Sequence, residues 1–271
     1  MTEAYIDLQL HTNCSDGVWS PEQLYAEIRA KDLECFSVTD HDTIDAYPVP
    51  ADLASRCVPG LEVDTEHEGH TVHLLAYGVT DPDCVLLTAL RKQRDERVVR
   101  MKAIVERMRG LGVDITFEDV RAQVAGGGSV GRPHLARALL AKGIVSNIQE
   151  AFDKYLADGE KGFVKLKRLT SADIVPMVHE SGGIVVIAHP KRLREPRHLA
   201  EIADLGVEGV EVVHPSADAE YQRHLTEFAD ERGLLVTGGT DFHAPETHPL
   251  PGIMFSRDRL ERFLARVAAL A

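Results

Sequence analysis

Hydrophobic and polar positions follow two rhythms along this chain. Seven short apolar runs, at residues 5–10, 35–39, 58–63, 71–77, 184–188, 207–213 and 234–239, have the length and residue types of strands. The run Ile184-Val185-Val186-Ile187-Ala188 is unbroken, as in a strand buried on both faces. Helical signals separate most of the runs. Ser20 precedes Pro21, and Gln23 stands at the capping-box position. Thr170 opens a segment that stops at Gly182-Gly183. Glu66-His67-Glu68-Gly69-His70 reads as a polar turn between two strands.

From about residue 88 to 162 the rhythm is helical. Met101, Ile104, Val105, Met108 and Leu111 keep the spacing of one apolar helix face, and Gly110 and Gly112 end it. Thr116 with Asp119 marks the next start. The stretch from Ala125 to Ser129 reads as a flexible loop, and Arg132-Pro133-His134 opens a further helix.

Strands linked by helices predict a parallel sheet, and seven of them in one domain predict a closed barrel. The expected organisation is an α/β barrel over residues 1–87 and 163–271, with an inserted helical subdomain over 88–162. A chain of 271 residues is long enough to bury such a core.

Composition narrows the picture. The net charge of −13 argues against a broad basic face for duplex nucleic acid. Cys14, Cys35, Cys57 and Cys84 show no paired spacing and are expected to stay reduced. No apolar run approaches the length of a membrane span, and the chain reads as cytoplasmic.

The ends of the apolar runs carry the chemistry. Gln9 and His11 lie at the first, Asp40 and His41 follow the second, and Glu62 lies late in the third. His73 falls within the fourth, and His189, His214, and Asp241 with His243 follow the last three. Barrel enzymes place their chemistry at strand ends. One imidazole there ordinarily makes a plain hydrogen bond. This many histidines and carboxylates, without cysteine, suit a hydrolytic zinc, manganese or iron cluster. Asp7 and Asp40 are expected to orient ligand imidazoles. His67, His70, His179, His198, His224 and His248 are expected to be mostly surface residues, while His214 either lines the pocket or packs.

These motifs resemble the PHP (polymerase and histidinol phosphatase) family of metal-dependent phosphoesterases. Asp7-Leu8-Gln9-Leu10-His11-Thr12 with Ser15-Asp16-Gly17 is similar to its first motif, and Thr39-Asp40-His41-Asp42 to its second. Pro59-Gly60-Leu61-Glu62-Val63 with His73, Ala188-His189-Pro190, and Thr240-Asp241-Phe242-His243 supply the rest. The resemblance implies a distorted (β/α)7 barrel holding two or three divalent ions. It puts one ion on Gln9, His11, Glu62 and Asp241, a second on Glu62, His73 and His189, and a third on Asp16, His41 and His243. Gln9 stands where the family has histidine. An amide oxygen is a weaker ligand, so the first position is expected to bind its ion less tightly.

The segment Gly131-Arg132-Pro133-His134-Leu135-Ala136-Arg137 resembles the subgroup of nucleotide phosphatases and short-RNA exonucleases. It implies that the insertion contributes to the substrate pocket, with Arg132 and His134 binding phosphate. Lys165 and Lys167 could add charge there. The implied activity is hydrolysis of small nucleotide phosphates: 3′,5′-bisphosphonucleotides, nucleoside monophosphates, or the 5′ ends of short single-stranded oligonucleotides. A metal-bound hydroxide would attack phosphorus, with His11, Asp16, His41, Glu62, His189 and Asp241 as the catalytic set. Two alternatives stay open from sequence: a histidinol-phosphatase-like enzyme, and a metal-binding module with weakened catalysis.

Overall fold

The computed structural model describes residues 2–124, 130–157, 159–164, 168–245 and 249–270. The expected loop from Ala125 to Ser129, Lys165, Lys167 and His248 lie outside them. The chain forms two compact units, Met1–Ala89 with Arg168–Ala271, and Leu90–Lys167.

The first unit is built on eight described strands: β1 (Glu3–Leu10), β2 (Cys35–Val38), β3 (Gly60–His67), β4 (His70–Tyr77), β5 (Ile184–Ile187), β6 (Gly209–Val213), β7 (Leu235–Gly238) and β8 (Ile253–Ser256). The α-helices of the described residues are α1 (Pro21–Lys31), α2 (Val85–Gly110), α3 (Phe117–Arg121), α4 (Arg132–Ala141), α5 (Ile148–Ala151), α6 (Ser171–Glu180), α7 (Arg197–Ala203), α8 (Ala219–Arg232) and α9 (Arg257–Ala268). The expected capping box opens α1: Ser20 Oγ accepts from Gln23 N at 3.4 Å, and Gln23 Oε1 accepts from Ser20 N at 2.9 Å.

The strands form two sheets, in the orders β2-β1-β8 and β3-β4-β5-β6-β7. The parallel sheet expected from the sequence is only partly present. Parallel pairing joins β1 with β2, β5 with β6 and β6 with β7, whereas β3–β4, β4–β5 and β1–β8 are antiparallel. The reason is local for β3 and β4. Both strands run through the expected polar turn, leaving only Glu68 and Gly69 between them, each at positive φ (48° and 81°). A two-residue link of that kind closes only an antiparallel hairpin. Strand β8 was not expected, since its four residues follow a proline-rich stretch. Among the described residues no continuous ladder closes. Single bridges link the sheets instead, at Leu10 with Phe242, Phe36 with Cys57 and His41 with Glu62.

Strand β1 shows how the core and the polar interior share one element. Ile6, Leu8 and Leu10 are buried on one face, while Asp7 and Gln9 are buried on the other, in line with His11. Asp7 has no exposed surface and acts as a latch. Its Oδ1 accepts from Gln9 N at 3.2 Å and Thr240 N at 3.0 Å, and its Oδ2 from Thr240 Oγ at 2.7 Å and Gly252 N at 2.9 Å. One carboxylate therefore ties β1 to the chain after β7 and to the approach to β8.

The second unit has its own core. Met101, Ile104, Val105 and Met108 of α2 pack with Ile115, Leu135, Leu139 and Leu156. Leu111 does not join the stripe: α2 ends at Gly110 and Leu111 is half exposed.

Replacing Asp7 by Asn keeps the shape but turns an amide N–H against at least one backbone N–H that the carboxylate now accepts from. The Asp7→Asn variant is expected to lose about 2 kcal/mol of unfolding free energy. Urea unfolding would read this as a lower midpoint with an unchanged slope, and an unchanged midpoint would contradict the latch.

Candidate metal centre

The polar side chains that end the strands are fixed by short-range backbone features. His11 follows β1, and its N donates to Phe242 O at 2.9 Å. The loop after it is folded around Asp40, which accepts from Thr12 N (2.7 Å), Thr12 Oγ (2.6 Å) and Ser15 Oγ (2.6 Å). Gly17 closes this loop so tightly that a Cβ would sit 2.6 Å from His11 O. The loop presents Asp16. His41 follows β2 and bridges to Glu62, the third residue of β3. His73 enters from the neighbouring strand, paired in register with Asp64. His189 and Asp241 both sit at positive φ (28° and 54°), a conformation that costs side-chain-bearing residues of order 1 kcal/mol or more. That cost is tolerated where the turn must aim a side chain back across a strand end.

These turns bring nine polar side chains together. Glu62 is the centre. Its Oε1 lies 2.8 Å from His73 Nδ1 and 2.8 Å from His189 Nε2, and its Oε2 lies 3.0 Å from His11 Nε2 and 3.7 Å from His41 Nε2. His11 Nε2 is also 3.3 Å from Asp241 Oδ1. Asp16 meets His243 Nε2 at 3.2 Å, His41 Nε2 at 3.9 Å and His11 Nδ1 at 3.8 Å. Asp64 lies 3.1 Å from His41 Nδ1 and 3.3 Å from His73 Nε2. Ligand-type atoms approach within 4.8 Å of one another in the sets His11-Asp16-His41-His243, His41-Asp64-His73, Glu62-His73-His189 and His11-Glu62-Asp241.

The electrostatics are those of a cation site. Burial pushes the Glu62 carboxyl up, but His41, His73, His11 and His189 outweigh it and hold it well below the usual carboxylate range. Asp241 is held low against its own burial by His11 and His214. Burial opposes a charge on His11, yet the Asp241 and Glu62 carboxylates beside it push its pKa up to about 10. A proton there takes the part a metal ion would play between two carboxylates. His189 is shifted the other way, chiefly by burial, which keeps it neutral and able to ligate.

Geometry agrees with this fit. His11 is fully buried, and despite those short distances neither of its ring nitrogens makes a properly directed hydrogen bond. Lone pairs aimed at a common point, not at each other, produce that pattern. Both amide atoms of Gln9 are likewise buried and without a hydrogen-bond partner. Its neighbour Gly239 is packed so closely that a Cβ would lie 2.7 Å from Gln9 Cβ. Leaving an amide in that state costs about 1–3 kcal/mol unless a ligand completes it.

Several expectations are corrected. Glu62 is early in its strand, because β3 runs on to His67. Asp7 and Asp40 bond backbone and hydroxyl donors in their described contacts and so shape loops instead of orienting imidazoles. His198 is completely buried, and His67 and His70 are partly buried at strand ends, so none of the three is a freely exposed loop residue. His214 is buried, with Nε2 3.4 Å from Asp241 Oδ2 and Nδ1 2.8 Å from Ser216 Oγ. It braces Asp241.

Three residues near the cluster escaped the sequence reading. Asp64 carried a signal in its two-residue spacing from Glu62, which puts both on one face of a strand. Arg192 Nη1 lies 3.0 Å from Asp241 Oδ2, and Glu211 Oε2 accepts from His189 N at 2.8 Å. Burial raises the Glu211 pKa well above the ordinary carboxylate range. Neither had a motif to mark it.

Arg132 and His134 lie at the start of α4 in the helical unit. Arg132 Nη1 donates to Leu156 O at 2.9 Å. His134 is buried, and its Nδ1 accepts from Gly131 N at 3.1 Å, which leaves the ring proton on Nε2.

No family model matches the chain. Individual relatives do. A 5′-3′ exoribonuclease Rnm of Salmonella typhimurium is 30% identical over 250 residues, covering 88% of this chain and 85% of the relative. A 3′,5′-nucleoside bisphosphate phosphatase of Chromobacterium violaceum is 31% identical over 251 residues, covering 89% and 88%. A crystal structure assigned as a metal-dependent phosphoesterase, from Bifidobacterium adolescentis, superposes with a TM-score of 0.80 at 30% identity, covering 96% of each chain. With a buried cluster of metal-type ligands and relatives matched over nearly its whole length, this chain belongs to the PHP family and is a metal-dependent phosphoric ester hydrolase.

Proposed function

We propose that this chain hydrolyses phosphate esters of small nucleotides, among them 3′,5′-bisphosphonucleotides, nucleoside monophosphates and the 5′ ends of short single-stranded oligonucleotides. The observation that carries the reading is Glu62, a buried carboxylate shared by four imidazoles. The nucleotide part rests on the names of the relatives at about 30% identity.

Three ligand groups are assigned. Gln9, His11, Glu62 and Asp241 would hold one ion, Glu62, His73 and His189 a second, and Asp16, His41 and His243 a third. Zinc, manganese and iron all suit such nitrogen and carboxylate donors. When bound, the ions supply an activated water and neutralise the phosphate oxygens. The bridges between the two sheets support reading the first unit as a distorted (β/α)7 barrel with this cluster at one end.

The protein's own groups do the rest. Glu62 and Asp241 are buried and held ionised, so they keep the cluster assembled at neutral pH. His214 and Glu211 brace Asp241 and the His189 backbone. Arg192, half exposed and paired with Asp241, provides a cation at the rim for a phosphate oxygen. Arg132 and His134 take a substrate phosphate: the guanidinium through paired N–H donors, His134 through Nε2–H. Hydrolysis breaks the ester P–O bond and forms a new one to the water oxygen, and the alcohol leaves with a proton.

The test is phosphate release from bisphosphonucleotides, nucleoside monophosphates, short RNAs and histidinol phosphate, after chelation and reloading with Mn²⁺, Zn²⁺ or Fe²⁺. Turnover of the nucleotide substrates that chelation abolishes and an ion restores is the expected result. Protein of verified metal content that releases phosphate from none of them would instead be a metal-binding module. Glu62→Gln is expected to lower turnover about a hundredfold or more, with loss of bound metal seen by elemental analysis and native circular dichroism. Arg132→Ala is expected to raise KM for a bisphosphonucleotide about tenfold or more, with partial rescue by Arg132→Lys. Gln9→His is expected to raise both metal content and turnover. Full occupancy in the wild type, with neither quantity moved by the substitution, would remove Gln9 from the ligand scheme.

A further inference from the structure

A second cluster of metal-type donors lies away from Glu62, where the β3–β4 hairpin meets α7. Strand β3 extends five residues beyond Glu62 to His67, about 16 Å at the usual strand rise. At the hairpin's tip His67 Nε2 lies 2.9 Å from Glu201 Oε2. Glu201 stands one helical turn after His198 on α7. Donor atoms of His67, His198 and Glu201 all lie within 4.8 Å of one another.

The hydrogen bond from His67 to Glu201 would by itself pin the hairpin to the helix. It leaves His198 unexplained. That ring has no exposed surface, yet neither of its nitrogens has a hydrogen-bond partner. The Glu68 carboxylate is 3.7 Å from its Nε2, beyond hydrogen-bond reach. An imidazole buried without partners is costly. The His67 ring meets it edge-on, with centroids 5.1 Å apart, and the His70 ring lies 5.5 Å away. Arg197 meanwhile pairs with Glu68 and, at 2.7 Å, with Glu201 Oε1. That contact holds the helix carboxylate with its other oxygen turned toward His67.

We propose that His67, His198 and Glu201 form a separate divalent-cation site of zinc type, which fastens the β3–β4 hairpin to α7. Two imidazoles and one carboxylate are a known zinc ligand set, with water in the fourth position. The His-x-x-Glu spacing on α7 puts its two donors on one face of the helix. The hairpin it anchors carries Glu62, Asp64 and His73, so the ion stiffens the strands that form the catalytic cluster without touching it.

The experiment counts zinc in the full-length protein after loading with Zn²⁺ and exhaustive dialysis. Wild type is compared with His67→Ala and His198→Asn, each alone and in a Glu62→Gln background. His67 is partly exposed at a hairpin tip, so its variant is the one expected to fold without difficulty. The site predicts that each variant holds one zinc equivalent less than its parent in both backgrounds. It also predicts a zinc-dependent rise in melting temperature in the Glu62→Gln parent that disappears on adding His67→Ala, and unchanged turnover in the single His67→Ala variant. Equal zinc content in parent and His67→Ala protein would overturn the proposal and leave the cluster as hydrogen-bonded hairpin packing.

Discussion

A buried carboxylate among imidazoles is the constraint around which this molecule is arranged. Glu62 is 1% exposed, and an ion so far from water is stable only if positive charge or hydrogen-bond donors surround it. Four histidines, three that follow strands β1, β2 and β5 and one, His73, from within β4, supply that environment. None of them is near Glu62 in sequence except His73, eleven positions on. The core strands, the tight loop closed by Gly17 and the left-handed turns at His189 and Asp241 are all means of bringing those ends to one point. In a −13 protein a local reversal of field helps attract phosphate, and cations held around Glu62 would provide it.

The supports lie one layer further out and are as specific as the ligands. Asp7 holds β1 against the chain after β7, which sets where His11 and Asp241 meet. Asp40 holds the loop that carries Asp16. Glu211 holds the His189 backbone and His214 holds Asp241. Each is buried and polar, and each would be costly anywhere else in the fold. Gln9 sits inside this layer with its amide unpaired, where the rest of the family pattern has an imidazole, so it marks the place where this chain's chemistry departs from that pattern.

Strand ends bearing His, Asp and Glu were visible from residue order alone, because a polar group that interrupts an apolar run at its end is a local event. The same local logic made the α1 capping box and the apolar stripe of α2 readable. Less was readable where pairing depends on distant partners. From sequence the β3–β4 hairpin reads as two shorter strands and a longer turn, because Glu66, His67 and His70 look polar and the sequence does not say that they lie on a hairpin edge. β8 was missed because four residues after prolines carry no periodicity. His198 was read as a surface residue because helix position alone does not reveal what packs over it.

Taken by itself, the sequence determined the donor types, their place at strand ends and the family to which those motifs belong, since each depends on short-range order. Tertiary structure alone decided that Glu62 is shared by four imidazoles, that Asp64, Arg192, Glu211 and His214 join their surroundings, and that His67 meets His198 and Glu201. The physical reason is that proximity between residues far apart in the chain follows from strand pairing and turn geometry, and a one-residue change of register would send the strand-borne Glu62, Asp64, His67 and Glu211 to the opposite face.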